Sequence, residues 1–123
     1  MRRIAVVALA IGLAACSNDS TSPSGSISGT FTLRSVNGSS LPYTFSSGFT
    51  VTSEVLTLRN DGSYSNDSQY SDGSVTTEEG FWSSVNGSIT FNDQTDGYSY
   101  QGSLSGNVLT EIFQGETDTY QRE

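Results

Sequence analysis

The sequence predicts an all-β fold: a small eight-stranded antiparallel up-and-down barrel over residues 27–123, following a helical signal peptide and a tether. Three observations carry this. Turn-forming pairs recur at Asn37-Gly38, Asp61-Gly62, Asp72-Gly73, Asn86-Gly87, Asp96-Gly97, Gly106-Asn107 and Gly115-Glu116, spaced from Asp61 onward by 11, 14, 10, 10 and 9 residues. Such gaps accommodate strands of about six to nine residues and leave no room for a helix. Between the turns, apolar residues alternate with polar ones, the period of a half-buried strand. Strands joined in succession by tight turns form a meander, and closing it removes the edges that a lone sheet would expose.

The chain begins with a basic start, Met1-Arg2-Arg3, and an aliphatic run from Ile4 to Leu13. That run is ten residues long, short of the ~20 needed to cross a bilayer. A basic start, a short apolar stretch and small residues before a cut site describe a secretory signal, residues 1–15. Leu13-Ala14-Ala15-Cys16 resembles the bacterial lipobox: an aliphatic residue, two small residues, then cysteine. The resemblance implies cleavage before Cys16, diacylglycerol on its thiol and an acyl chain such as palmitate on the new amino group. Two or three acyl chains hold a protein on a membrane where one binds only marginally. The alternatives are an ordinary signal peptide with a chance cysteine, or a buried N-terminal helix. Ser17, where a retention signal for the inner membrane would carry Asp, points to a cell-envelope protein anchored by lipid in the outer membrane.

Residues 17–26, Ser-rich with Pro23 and Gly25, cannot bury surface. With Cys16 they read as the lipidated anchor and a flexible linker. Ten such residues span ~17 Å on average. Loss of Arg2 and Arg3 leaves Arg34, Arg59 and Arg122 against 13 acids, a net charge of −10. Such a chain repels nucleic acid, which is excluded as a partner. Cys16 is the sole cysteine, so the domain must hold itself by its core.

Each strand then follows in order. Ile27 to Val36 alternates, with Ile27, Phe31 and Leu33 on one face. Phe49 and Val51 have odd parity whereas Leu56 and Leu58 have even parity, so a bulge is expected near Ser53-Glu54 if both pairs point inward. Leu41-Pro42-Tyr43 lies in the longest connection, Asn37 to Gly48. Its proline cannot donate to a ladder, so a loop folded over one barrel end is expected, its apolar residues plugging the core. Tyr64 and Tyr70 mark the next strand, and Val75 to Ser83 ends in Phe81-Trp82. Ile89 and Phe91 alternate, as do Tyr98, Tyr100 and Leu104. Val108 to Phe113 is apolar on both faces, and Asp118 to Glu123 closes the chain.

Gly29-Thr30-Phe31-Thr32-Leu33, Leu56-Thr57-Leu58-Arg59-Asn60-Asp61-Gly62-Ser63-Tyr64, Gly80-Phe81-Trp82, Asn86-Gly87-Ser88-Ile89-Thr90-Phe91 and Gly102-Ser103-Leu104-Ser105-Gly106-Asn107-Val108-Leu109-Thr110 together resemble the bacterial lipocalin-like domains. These are small calycin-type barrels, often found on lipoproteins. The resemblance implies that Phe31 stands where lipocalins place the tryptophan of Gly-x-Trp. It also implies that Arg122, on the last strand, packs over Phe31 and closes the barrel by a cation–π contact. Ser35-Val36-Asn37-Gly38-Ser39-Ser40-Leu41-Pro42 resembles the start of META-type domains, whose downstream Gly-Cys-Asn motif is absent here.

No catalytic set can be assembled. The chain has no His and no Lys, and its sole thiol is assigned to lipid, so a Ser or Cys nucleophile lacks an activating base. Glu78-Glu79 are strand neighbours pointing to opposite faces and read as a solvated pair. Asn92-Asp93-Gln94-Thr95-Asp96-Gly97 partly fits a calcium loop, but Ser103 stands where a bidentate Glu is required, so a polar hairpin tip is expected and no metal. No cofactor is implied. Two functions stay open. The first is a non-enzymatic, membrane-anchored barrel binding a small apolar molecule, with Phe31, Leu33, Leu56, Leu58, Trp82, Tyr98 and Tyr100 as lining. The second is a structural or protein-interaction lipoprotein with a filled core and no ligand.

Overall fold

The computed structural model describes residues 27–123. The signal peptide, Cys16 and the linker lie outside the described residues. Eight main strands form the domain: β1 (Gly29–Val36), β2 (Thr50–Leu58), β3 (Ser63–Tyr70), β4 (Val75–Val85), β5 (Ser88–Asp93), β6 (Ser99–Ser105), β7 (Val108–Phe113) and β8 (Glu116–Arg122). Each pairs antiparallel with its sequence neighbours. β8 returns to β1, with Arg122 opposite Phe31, and β1 also pairs with β2, with Phe31 opposite Leu56. The meander is therefore a closed barrel, and no helix occurs among the described residues. Two-residue pairs at Ser39–Ser40 and Tyr43–Thr44 extend β1 and β2 at one end.

The turns use four solutions, one of them at Asp96-Gly97, where the expected two-residue turn is a four-residue loop, 94–97, closed by Asp93 N–H donating to Tyr98 O. Asn86-Gly87 has positive φ at both residues, 54° and 83°, as does Asn37-Gly38 at 52° and 83°. At Gly106-Asn107 only the glycine has positive φ. Asp61-Gly62 and Asp72-Gly73 differ from the two-residue expectation. Each closes a three-residue turn, with Arg59 N–H donating to Ser63 O and Tyr70 N–H to Ser74 O, and only the glycine at positive φ. The aspartates contribute side-chain acceptors instead: Asp61 Oδ1 takes the backbone N–H and hydroxyl of Ser63, and Asp72 Oδ1 those of Ser74. The last turn is Gln114-Gly115, one residue earlier than expected, because positive φ falls on those two and Glu116 already belongs to β8.

Two bulges tune the inner face. In β2 the register slips between Val51 and Ser53, leaving Thr52 as the extra residue. This reconciles buried Val51 with buried Leu56 and Leu58, while Phe49 stays outside at 53% exposure. In β1, Arg34 is skipped in the pairing with β8, so Leu33 and Val36 both face inward despite opposite parity.

The barrel has two unlike ends. At one end, chain start and chain end meet: Arg122 donates to Ser28 O, and the Ser28 hydroxyl donates to Asn60 in the β2–β3 turn. This half is apolar and filled. Phe31, Leu56, Leu58, Trp82, Ile89, Phe91 and Leu109 are all 3% exposed or less. At the other end lie the 37–49 connection and the β3–β4, β5–β6 and β7–β8 turns. There Leu41, Tyr43 and Phe45 are partly buried against the core, as expected for a loop that plugs the barrel.

Candidate functional site

The inner face changes character halfway along the barrel. Three tyrosines mark the boundary. Tyr64, Tyr100 and Tyr120 have buried rings, and their hydroxyls point away from the apolar half. Tyr64 donates to Glu78 Oε2 at 2.6 Å, and Tyr100 donates to the same oxygen. Tyr120 donates to Glu54, whose Oε2 also accepts from Asn66 Nδ2 at 2.8 Å and whose Oε1 accepts from Ser68 at 2.8 Å. Beyond this layer stand Glu111 and Asp118, directly opposed across the β7–β8 ladder. Asp93, buried at the end of β5, is engaged by its own loop, accepting from the backbone N–H groups of Thr95 and Asp96. The segment 92–97 is thus a hairpin tip folded onto its own aspartate.

The upper barrel is consequently a cup of carboxyl groups. Glu111 is 5% exposed, whereas Glu54, Glu78 and Asp118 are half-buried and within reach of solvent. Carboxyls packed this closely cannot all be ionised. Burial pushes Glu111 well above the usual carboxylate range, and the charges of Glu54, Asp118 and Glu78 add to it. Burial and the adjoining Glu116 push Asp118 up to about 8. Glu78 is also raised, chiefly by burial, against the opposing effect of its tyrosine donors. The described cations stand elsewhere. Arg34 is exposed, Arg59 donates to Ser63 and Ser65 on the outer wall, and Arg122 lies over Phe31 with Cζ 4.7 Å from the ring centroid.

An aromatic column runs up one wall into the cup. Tyr64 meets Phe91 edge-on at 5.2 Å, Phe91 stacks on Tyr100 at 5.0 Å, Tyr100 meets Phe113 at 5.5 Å, and Phe113 meets Tyr98 at 5.2 Å. Gly102 makes the column possible. A Cβ there would sit 3.2 Å from the Phe91 ring and 2.9 Å from Thr110 O.

Of the residues expected to line a ligand cup, Phe31, Leu33, Leu56, Leu58 and Trp82 lie together in the packed half. Trp82 Nε1 donates to Arg59 O at 3.0 Å, towards the filled end. Tyr100 lies at the boundary, 9% exposed, and Tyr98 stands at the rim, 51% exposed. Following apolar residues alone leaves Glu54, Asn66, Glu111 and Asp118 out of the interior. Parity held the signal. Glu54 is two residues from Leu56, Asn66 from Tyr64, Glu111 from Leu109 and Asp118 from Tyr120, so each shares a face with a core residue of its own strand. Glu78 is a correction to the solvated-pair reading: it turns inward to two tyrosines, while Glu79 is exposed.

No protein-family profile matches the chain, and no curated protein matches it at a significant level. Among solved structures, the chain is similar to a lipocalin-like protein from Bacteroides uniformis ATCC 8492, at 18% identity and a TM-score of 0.54, over 80% of this chain and 100% of that one. At that identity the likeness concerns fold. Eight antiparallel strands in meander order, closed between β8, β1 and β2 and matched along the full length of that neighbour, make residues 27–123 a lipocalin-like barrel.

Proposed function

We propose that this protein is a non-enzymatic binding lipoprotein of the cell envelope, anchored through lipid on Cys16 in the outer membrane and holding a small molecule at the upper end of its barrel. One observation carries the binding reading: the barrel is apolar and filled at one end, and lined by half-buried carboxyls and aromatic rings at the other. A side-chain-filled lower half supports a small guest at the mouth, touching Tyr98 and Tyr100, in place of a long apolar guest beside Phe31 or Trp82. The lipobox at Leu13-Ala14-Ala15-Cys16 supports the anchor.

Both parts have direct tests. Cys16→Ala is expected to move the protein out of the membrane fraction, and unchanged fractionation would remove the anchor. Native mass spectrometry of the protein purified from its own cells is expected to show a bound species of small mass. Repeated absence of any adduct would favour a second reading, a structural or protein-interaction lipoprotein. Phe81 and Ile112, each 57% exposed on the outer wall, are the observation that supports that reading.

A further inference from the structure

The acid cup carries more than its charge. Three buried acceptors have no hydrogen-bond donor among the described residues: Asn66 Oδ1, Glu111 Oε2 and Asp118 Oδ1. Buried polar atoms are nearly always partnered; burial keeps Glu111 and Asp118 protonated, so those two carboxyls carry protons of their own, and Asn66 Oδ1 is the one that marks a missing donor. Asn66 is the most informative, because it is not an acid. Its side chain is 7% exposed, and its Nδ2 is fixed by donating to Glu54 Oε2 at 2.8 Å and Tyr120 Oη at 3.2 Å. The amide orientation is therefore set by its neighbours, and its oxygen is left without a proton to accept. Glu111, 5% exposed, opposes Asp118 across the ladder. Like charges at directly opposed positions repel.

We infer that the cup is built for a small primary amine bound as its ammonium ion, with an apolar or aromatic tail directed along the Tyr100, Phe113 and Tyr98 rings. This rests on the binding reading above and names the chemical class of its ligand. A primary ammonium brings three N–H donors and one positive charge. The cluster offers Asn66 Oδ1 without a donor beside Glu54, and the opposed carboxyls of Glu111 and Asp118, and the chain provides no Lys or His of its own. Aromatic faces attract cations and pack against an organic tail. The described carboxylates are not gathered into a metal-ligating group, and a bare metal ion would make no use of the aromatic wall. The ammonium would take the place of the protons that otherwise keep Glu111 and Asp118 from repelling one another.

Isothermal titration calorimetry of the full-length protein in detergent, at pH 7.5, tests this with four probes: 2-phenylethylamine, its neutral counterpart 2-phenylethanol, phenylacetate and calcium ion. The amine is expected to bind at least about tenfold more tightly than the alcohol, since one charge-assisted contact is worth about 1.4 kcal/mol or more. Phenylacetate is expected not to bind. The double variant Glu111→Gln, Asp118→Asn should lose the amine's advantage while keeping its circular dichroism. Tyr98→Ala, at the rim and outside the Glu111–Asp118 pair, should weaken amine and alcohol alike. Equal affinity for amine and alcohol would leave a ligand-binding barrel but overturn the ammonium assignment. Calcium binding that vanishes in the double variant, with no amine binding, would overturn it in favour of an inorganic cation. Failure of all four probes would overturn the ammonium assignment, while the native mass spectrum decides the binding reading separately.

Discussion

A glycine and an amide decide the site at the level of single residues. Gly102 lies beneath Glu111, whose Cγ would be 3.6 Å from an added Cβ, and beside the Phe91 ring. The nearest atom to that Cβ, however, is backbone, Thr110 O at 2.9 Å. Backbone in a closed barrel cannot swing aside as a side chain can. Gly102→Ala should therefore cost about 1–3 kcal/mol by overpacking, lowering the melting temperature by about 4–8 °C for each kcal/mol. Thermal denaturation followed by circular dichroism measures this, and an unchanged melt would mean that β6 and β7 can separate. Asn66 makes the complementary point. Polar residues on a strand are ordinarily assigned to the wet face, and no composition rule places an asparagine beside a tyrosine hydroxyl inside a barrel. Only its spacing from Tyr64 on β3 carried that information.

The elements owe their order to turn chemistry, and there the sequence was most legible. The meander, the absence of helix in residues 27–123 and the strands β4 and β7 follow from glycine-bearing pairs and the apolar residues between them. What escaped was the division of labour within the pairs. At Asn86-Gly87 both residues adopt positive φ, whereas at Gly106-Asn107 the glycine alone does so. Asparagine tolerates this conformation better than alanine. Asn86→Ala should accordingly destabilise the protein by about 1 kcal/mol, and Asn107→Ala by much less. Chemical denaturation of the two variants side by side checks the ranking, and equal effects would count against it. The bulge in β2 was legible for a different reason: two apolar pairs of opposite parity cannot face one core without an extra residue. It falls at Thr52, beside the expected Ser53-Glu54, since parity fixes that a slip occurs but only cross-strand pairing with β3 fixes where.

For the molecule as a whole, the clustered acids set the pH response. Glu78, Glu111 and Asp118 hold their protons more tightly when folded than the ordinary carboxylate does, Asp118 up to about 8 against 3.8. They face Glu54, Asp93 and Glu116 and the hydroxyls of Tyr64, Tyr100 and Tyr120. A group that binds its proton more tightly in the folded state contributes stability that is fully present at acidic pH and lost as pH rises through the folded value. Asp61 and Asp72, held below 3.8 by the Ser63 and Ser74 hydroxyls, act in the opposite direction, and their contribution is lost only below about pH 4. The melting temperature should therefore be highest near pH 4–5 and decline steadily to pH 9. The double variant Glu111→Gln, Asp118→Asn should flatten the decline. Calorimetric scans across that range measure both, and a wild-type profile that rises with pH would contradict the arrangement of acids inside the barrel.

Ser28 and Arg122 meet at the filled end, so the polypeptide leaves for its N-terminus from the base of the cylinder, opposite the acid cup. If Cys16 is fastened to lipid, the tether joins the barrel at its filled end, and the acid-lined end is the one left free to face the aqueous compartment. An end that faces solution meets what is dissolved there, and a charged, freely diffusing amine suits such an end where a lipid does not.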